Sequence, residues 1–370
     1  MTIHLDDVET IARRFGEREA IDRESFPEES FAEMKEMRLM AAALPVALGG
    51  SGWSTADAAV AVERMAMHAP SCALMLAMPL GLSGIYGSDI TPPEASRQTW
   101  LANRDLVTGW YRDGRWIAAA NSEKGAGGAI ENTKTTAALD ADGAWRLSGE
   151  KILASGGKHA DYFFSVAKLD ASSLPGSKGF EMFLAETNAP GVNIRDDWDG
   201  LGMRSTESQS VGYESAPTAA MVAFPDFLGV VQPVSYFLSL FAAVPLGCTA
   251  ALLRLLATPT PQSPALRLRF SESLMRYESA RAYLLDTASR WRPGAGPAYG
   301  ARAVRTKTYV AQESVRIAAD LFALSGGRSY TRTSPAAHLL LDAFAGTSLR
   351  PPLALGLDQL VEGFGLGDLG

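Results

Sequence analysis

Two glycine-rich stretches hold the residues of this chain best suited to binding chemistry. The first runs Asn121-Ser122-Glu123-Lys124-Gly125-Ala126-Gly127-Gly128, and the second Gly149-Glu150-Lys151-Ile152-Leu153-Ala154-Ser155-Gly156-Gly157, continuing through Lys158-His159 into Ala160-Asp161-Tyr162. Loops of this kind leave backbone N–H groups uncovered and let a flat polar ligand approach closely. Nucleophiles and metal ligands are scarce by comparison. Cys72 and Cys248 lie far apart in apolar helical contexts, as expected of two reduced, buried thiols. His4, His68, His159 and His338 show no ligand spacing, so no metal site is expected.

The elements that must position these loops are short β-rich runs. Trp116–Ala120, Lys134–Ala138, Trp145–Leu153, Tyr162–Lys168, Phe180–Glu186, Val192–Arg195, Ser210–Tyr213 and Ala220–Phe224 are separated by Gly, Pro, Asn and Asp. That spacing predicts antiparallel strands in a small barrel or two packed sheets. Helices precede them. Ile11, Phe15, Ile21, Phe31, Met34 and Leu39 recur at intervals near three and four. The Leu48-Gly49-Gly50-Ser51-Gly52-Trp53-Ser54 loop lacks a preceding strand and reads as a connector to a helix over Thr55–His68, capped by Ser54 or Thr55. Ala69–Tyr86 is apolar and Met-rich, suited to core packing or to a channel for an acyl or aromatic substrate. Thr91-Pro92-Pro93 starts another helix, expected to end near Asn103. After Pro233 long helices return: Val234–Leu256, apolar on nearly all faces, then one ending at Pro293-Gly294, one carrying Val304 to Phe322, and a shorter one after Ser334-Pro335. The expected fold class is α+β multidomain: an N-terminal helical domain over 1–112, a central antiparallel β-barrel-like domain over 113–228, and a C-terminal four-helix bundle over 229–370.

Composition limits the partners. With 47% apolar and 20% charged residues, the chain can bury a large core. A net charge of −7 with both signs scattered argues against a nucleic-acid groove or an anionic-membrane patch. No basic region precedes an apolar run at the N-terminus, and no uninterrupted apolar stretch reaches the roughly 18 residues of a membrane span. A cytoplasmic protein is expected.

Together and in this order, the two glycine-rich stretches resemble the middle-domain signature of the acyl-CoA dehydrogenase superfamily, a Ser/Thr-Glu-x-Gly-x-Gly loop followed by Gly-x-Lys-x-x-x-Ser-x-Gly-x-x-Ala-Asp. Leu201-Gly202-Met203-Arg204-Ser205-Thr206-Glu207-Ser208 resembles that family's Leu-Gly-Met-Arg-x-Thr-x-Ser turn, although locally Arg204 is only a charge beside a tight bend. Helices, a β domain and a helical bundle follow the same order. The resemblance implies FAD, with Asn121 and Ser122 at the flavin's pyrimidine edge and Gly127 and Gly128 near its ribityl and phosphate portion. It sets Leu153 and Ser155 against the ring, where the family usually has an aromatic residue and a Thr. It adds Gly326 and Gly327 from Ala323-Leu324-Ser325-Gly326-Gly327-Arg328-Ser329-Tyr330, similar to Gln-x-x-Gly-Gly-x-Gly-Tyr, with Arg328 as replacement charge. A CoA thioester or related small-molecule substrate follows. So does a homodimer or homotetramer, or a heteromer with a paralogous subunit.

Departures from the pattern concern the chemistry. The family's Arg-x-x-Phe-Gly gives way to Thr258-Pro259-Thr260-Pro261-Gln262-Ser263-Pro264, which removes an Arg expected on a neighbouring flavin pyrophosphate. The catalytic Glu falls on Ala345 in one register and on Arg350 in the other, and Phe237 occupies the alternative place on the first bundle helix. No register supplies the carboxylate that takes an α-proton. Three readings follow: a divergent FAD-dependent oxidoreductase on an acyl thioester, a flavin monooxygenase that needs no such base, and a non-catalytic subunit beside an active paralogue.

Overall fold

The computed structural model describes residues 2–221, 224–258 and 263–362. It opens with five helices, α1 (Leu5–Ile21), α2 (Glu28–Glu36), α3 (Thr55–Ala66), α4 (Pro70–Gly87) and α5 (Arg97–Arg112). Helix α1 buries Val8, Ile11, Ala12 and Phe15, one stripe at helical spacing. Ser54 caps α3 as expected: its hydroxyl accepts the Asp57 N–H while the Asp57 carboxylate accepts the Ser54 N–H. Helix α5 runs past the expected end near Asn103, because Trp100, Val107, Thr108 and Tyr111 continue one buried face to its last turn.

Eight strands follow: β1 (Ile117–Ala119), β2 (Thr136–Leu139), β3 (Trp145–Ala154), β4 (Tyr162–Lys168), β5 (Phe180–Glu186), β6 (Val192–Ile194), β7 (Gln209–Pro217) and β8 (Ala220–Met221). The end of the last expected strand falls partly outside the described residues. They form one curled sheet in the order β6-β7-β3-β2-β4-β5-β8, with β1 beside β4. Most pairs are antiparallel, but β1 and β4 run parallel, and β2 meets β4 in parallel at Thr136 and Lys168. The long glycine-rich loop after β1, in place of a tight turn, is why β1 does not fold back onto β2.

The chain then enters α6 (Phe227–Val231), α7 (Val234–Ala257), α8 (Pro264–Ser289), α9 (Pro297–Leu324), α10 (Pro335–Ser348) and α11 (Leu353–Glu362). Four long helices make the bundle, and α11, not anticipated from sequence, packs on α9. Most of the Pro-rich 258–264 segment lies outside the described residues. Both α4 and α7 prove long and apolar enough to cross a bilayer by length and composition, against expectation; yet 94% and 78% of their apolar windows are buried inside the fold. They are the core around which the three parts meet. Gly81 of α4 lets the Phe237 ring of α7 sit directly on the helix backbone, where a Cβ would collide with it. Phe237 in turn stacks on Phe164 of β4 and on Phe241.

Candidate functional site

A cleft of about 610 Å³ opens between the curled sheet, α4, α7 and the C-terminal end of α10. Asn121, Ser122, Leu153 and Ser155 line its sheet side. Ala345 and Arg350 both line it from the bundle, so the two possible registers for the missing base lead to the same hollow. Phe237 is there too, as are Leu74 and Met78. On the Met-rich helix Leu74 and Met78 line the cleft, while Met75, Leu76 and Leu80 are core. Gly127, Gly128, Gly326 and Gly327 are not on its wall. Gly128, at φ +87°, is where Pro352 packs against the first glycine-rich loop, in space a Cβ would fill. Gly326 and Gly327 have open space around their Cα atoms.

Local distortion of β3 aims the sheet-side residues. Pairing of β3 with β7 slips between Lys151 and Ala154, and there the Ile152 N–H donates to the Ser122 carbonyl at 2.8 Å. Leu153 takes φ +61° and is 47% exposed. A bulge that forces a leucine into the left-handed region, at about 1 kcal/mol or more, turns its side chain out of the sheet and into the cleft. Asn121 is held by both ends: its Oδ1 accepts the Val166 N–H at 2.7 Å, and its carbonyl accepts Arg350 Nη2 at 3.1 Å.

Ser155 belongs to a directed chain of hydroxyls. Thr206 Oγ1 donates to the Met203 carbonyl, Ser208 lies 2.7 Å from Thr206, and Ser155 lies 2.8 Å from Ser208. Since each hydroxyl has one proton, Ser208 donates to Thr206 and Ser155 to Ser208. Ser155 is left with lone pairs, and it meets a ligand in the cleft as an acceptor.

The charged motif residues turn out to be framework. Glu123 and Lys151, from the two glycine-rich stretches, form a buried pair at 2.6 Å. Burial alone would raise the Glu123 carboxyl, but Lys151 and the backbone N–H groups of Lys134 and Thr135 hold it below the usual range. Burial pulls Lys151 down to about 8, opposed by Glu123. Asp161 ties the Trp116 N–H, Lys35 and Arg115 together. Arg204 pairs with Glu24 and Asp199 outside the cleft, and Arg328 is exposed away from it. Sequence reading missed Asp342, Lys307 and the Ser208–Thr206 pair. Asp342 accepts the Met203 N–H at 2.7 Å and pairs with Arg23 at 2.5 Å, clasping the Leu201–Arg204 turn to α10 and to the end of α1. Lys307 donates to the carbonyls of Gly346, Leu349 and Pro351. The signals were a lone Lys in an apolar helix face, an Asp inside α10, and the Thr and Ser of the 201–208 turn, whose hydroxyls had no role assigned from sequence.

No carboxylate lines the cleft among the described residues, and Arg350 is its one charged side chain. Its mouth is apolar: Leu153, Leu201, Leu341 and Phe344 are all substantially exposed there. Exposed apolar side chains around a hollow favour an apolar ligand. Apolar faces, the Ser155 acceptor, the Asn121–Ser122 edge and one cation without an acidic partner suit a flavin ring. Family models match three successive stretches: "Acyl-CoA dehydrogenase, N-terminal domain" over 6–103, "middle domain" over 118–216 and "C-terminal domain" over 254–349. The chain belongs to the acyl-CoA dehydrogenase superfamily.

Within that superfamily its relatives include nitrososynthases. The amino sugar nitrososynthase DnmZ of Streptomyces peucetius is 28% identical over 92% of this chain and 87% of its own length. L-evernosamine nitrososynthase of a Micromonospora species is 32% identical, but over 55% of this chain and 47% of that relative, less than half its length. The solved structure of KijD3 with FMN and dTDP-3-amino-2,3,6-trideoxy-4-keto-3-methyl-D-glucose superposes with a TM-score of 0.80 at 23% identity, covering 96% of this chain and 91% of that one.

Proposed function

We propose that this acyl-CoA dehydrogenase relative is a flavin-dependent monooxygenase, using FMN, that oxidises an electron-rich heteroatom or ring on a largely apolar small molecule. The observation that carries the reading is the cleft wall. Ala345, Arg350 and Phe237, the positions to which the family resemblance would assign a proton-removing carboxylate, all line it, and no described lining residue is an acid. Desaturation of an acyl thioester depends on such a base. Oxygen transfer does not. The named activity of the nitrososynthase relatives, and FMN in KijD3, support the same direction. The Pro-rich 258–264 segment, which has no Arg, favours the shorter cofactor over FAD.

In this reading Asn121, Ser122, Leu153 and Ser155 hold the ring, Ser155 accepting one of its N–H groups. Phe164, Phe237 and Phe241 face the substrate and exclude water, which raises the strength of every polar contact inside. The chemistry a reduced flavin supplies there is two-electron reduction of dioxygen, one oxygen atom passing to substrate and the other leaving as water. The test is to supply reduced FMN or reduced FAD with isotope-labelled dioxygen to a panel of apolar amines, sulfides and heteroaromatics. Labelled oxygen in product supports the reading. Oxidation of an acyl-CoA without oxygen, with electrons passed to an artificial acceptor, would overturn it.

A further inference from the structure

Arg350 is a cation placed with nothing negative to meet it. It lines the cleft and is partly buried, its one described hydrogen bond goes to the neutral carbonyl of Asn121, and no described carboxylate lies within ion-pair distance. The nearby buried acid is already committed, since Glu123 binds Lys151 Nζ at 2.6 Å together with two backbone N–H groups. Lys151 thus takes up the Glu123 carboxylate, and Arg350 is left with no described carboxylate in contact. Burial pulls the guanidinium below its ordinary value, only partly opposed by the charges of Glu123 and Glu131. A guanidinium stays charged even so.

The backbone that carries it is held on both sides. Lys307 gathers the carbonyls of Gly346, Leu349 and Pro351 at 3.0, 2.5 and 2.6 Å. Pro352 packs on Gly128 of the glycine-rich loop. The backbone on both sides of Arg350 is therefore fixed, which sets where its side chain starts. Fixed charge in a water-poor site favours whichever form of an occupant carries negative charge.

We propose that Arg350 sets the redox poise of the flavin in this cleft, favouring the reduced, negatively charged ring over the neutral oxidised one. The inference rests on the flavoprotein reading above. Two-electron reduction with uptake of one proton leaves one negative charge on the ring, and that charge gives the unpaired guanidinium a partner. Oxidised FMN gains much less from the same guanidinium, so the two affinities must separate when it is removed.

The experiment measures FMN dissociation constants in both redox states, together with the midpoint potential of the complex, for the wild type, R350M and R350K. In R350M the affinity for reduced FMN is expected to fall about tenfold more than that for oxidised FMN, lowering the potential by about 30 mV for a two-electron couple. R350K keeps the charge and is expected to keep most of the potential. Equal potentials in wild type and R350M would overturn the proposal, with Arg350 then left to a substrate anion, and so would an R350K drop as large as that of R350M. If R350M does not fold, R350Q makes the same comparison while keeping a donor for Asn121. A wild type that binds neither FMN nor FAD in either state would instead defeat the flavoprotein reading itself.

Discussion

Substituting the buried acids beneath the cleft separates a charged partner from a neutral one. Arg23 lies between Asp342 at 2.5 Å and Glu19 at 3.4 Å, and both carboxyl side chains are almost fully buried. Burial pushes Glu19 up to about 8, with Arg23 pulling the other way, and neither Glu19 oxygen has a described hydrogen-bond partner. Burial also raises Asp342, but Arg23 and the Met203 N–H stabilise its anion. Asp342 accepts hydrogen bonds from Arg23 and from the Met203 N–H while neither Glu19 oxygen accepts one, so the geometry makes Asp342 the carboxylate that neutralises Arg23 and Glu19 the acid that holds its proton. The D342N variant keeps the acceptor for Met203 and loses the charge. Breaking a buried pair on one side costs about 3–5 kcal/mol; ionisation of Glu19 recovers part, leaving about 3 kcal/mol. At about 2 °C per kcal/mol for a chain of this size, the melting temperature falls by roughly 6 °C. E19Q, which lacks the charge as the protonated acid does, is expected to cost less than D342N at pH 5.

The pH dependence gives the sign. Because Glu19 binds its proton more tightly folded than unfolded, its stability contribution is full below about 4.5 and is lost as pH rises through about 8. E19Q lacks that loss. Its stability relative to wild type must rise across pH 5 to 8, by up to about 1.4 kcal/mol per pH unit. Urea unfolding followed by circular dichroism at pH 5, 6.5 and 8 reads both effects. A flat E19Q difference, or a D342N variant as stable as wild type, would show that the proton and the charge are placed wrongly.

Three further outcomes are expected. Gly81→Ala sets a methyl against the Phe237 ring; overpacking of this kind costs about 1–3 kcal/mol, and binding of an apolar dye in the cleft should weaken in parallel, whereas an unchanged dye titration would mean the ring does not shape the cavity. Ser155→Ala removes the acceptor at the end of the hydroxyl chain and is expected to weaken flavin binding about tenfold, or about 1.4 kcal/mol, with a melting temperature close to wild type; equal affinity in a flavin titration counts against the acceptor role. Glu123→Gln strands Lys151 without its carboxylate and is expected to cost about 3–5 kcal/mol, measured by urea unfolding at pH 7 and shrinking toward pH 10 as Lys151 loses its proton.

Much of the fold was legible because its cues are local. Apolar spacing marks α1, α3 and α7, Ser54 with Asp57 starts a helix, and short apolar runs containing aromatics, each beginning after Asp161 or Gly179, give β4 and β5 to the residue. The length of α5 was not, since what continues it past Asn103 is burial of Val107, Thr108 and Tyr111 against other segments. The parallel pairing of β1 was not either, because pairing is decided by which strand lies alongside and not by the strand's own residues.

The site divides in the same way. Residue types in order already contained the glycine-rich loops and the lack of a carboxylate at 237, 345 and 350; the absence of an acid is a statement about side chains and needs no coordinates. Whether those positions share one hollow is a matter of three-dimensional distance, and only the packing of α7 and α10 against the sheet brought Phe237, Ala345 and Arg350 to Asn121. The motif residues Glu123, Lys151 and Asp161 look alike on paper to ligand contacts, yet burial makes an unpaired charge so costly that they bind one another or their neighbours. Among the described residues that line the cleft, the one charged side chain, Arg350, was left without a carboxylate, and which charge is left over depends on all of its neighbours at once.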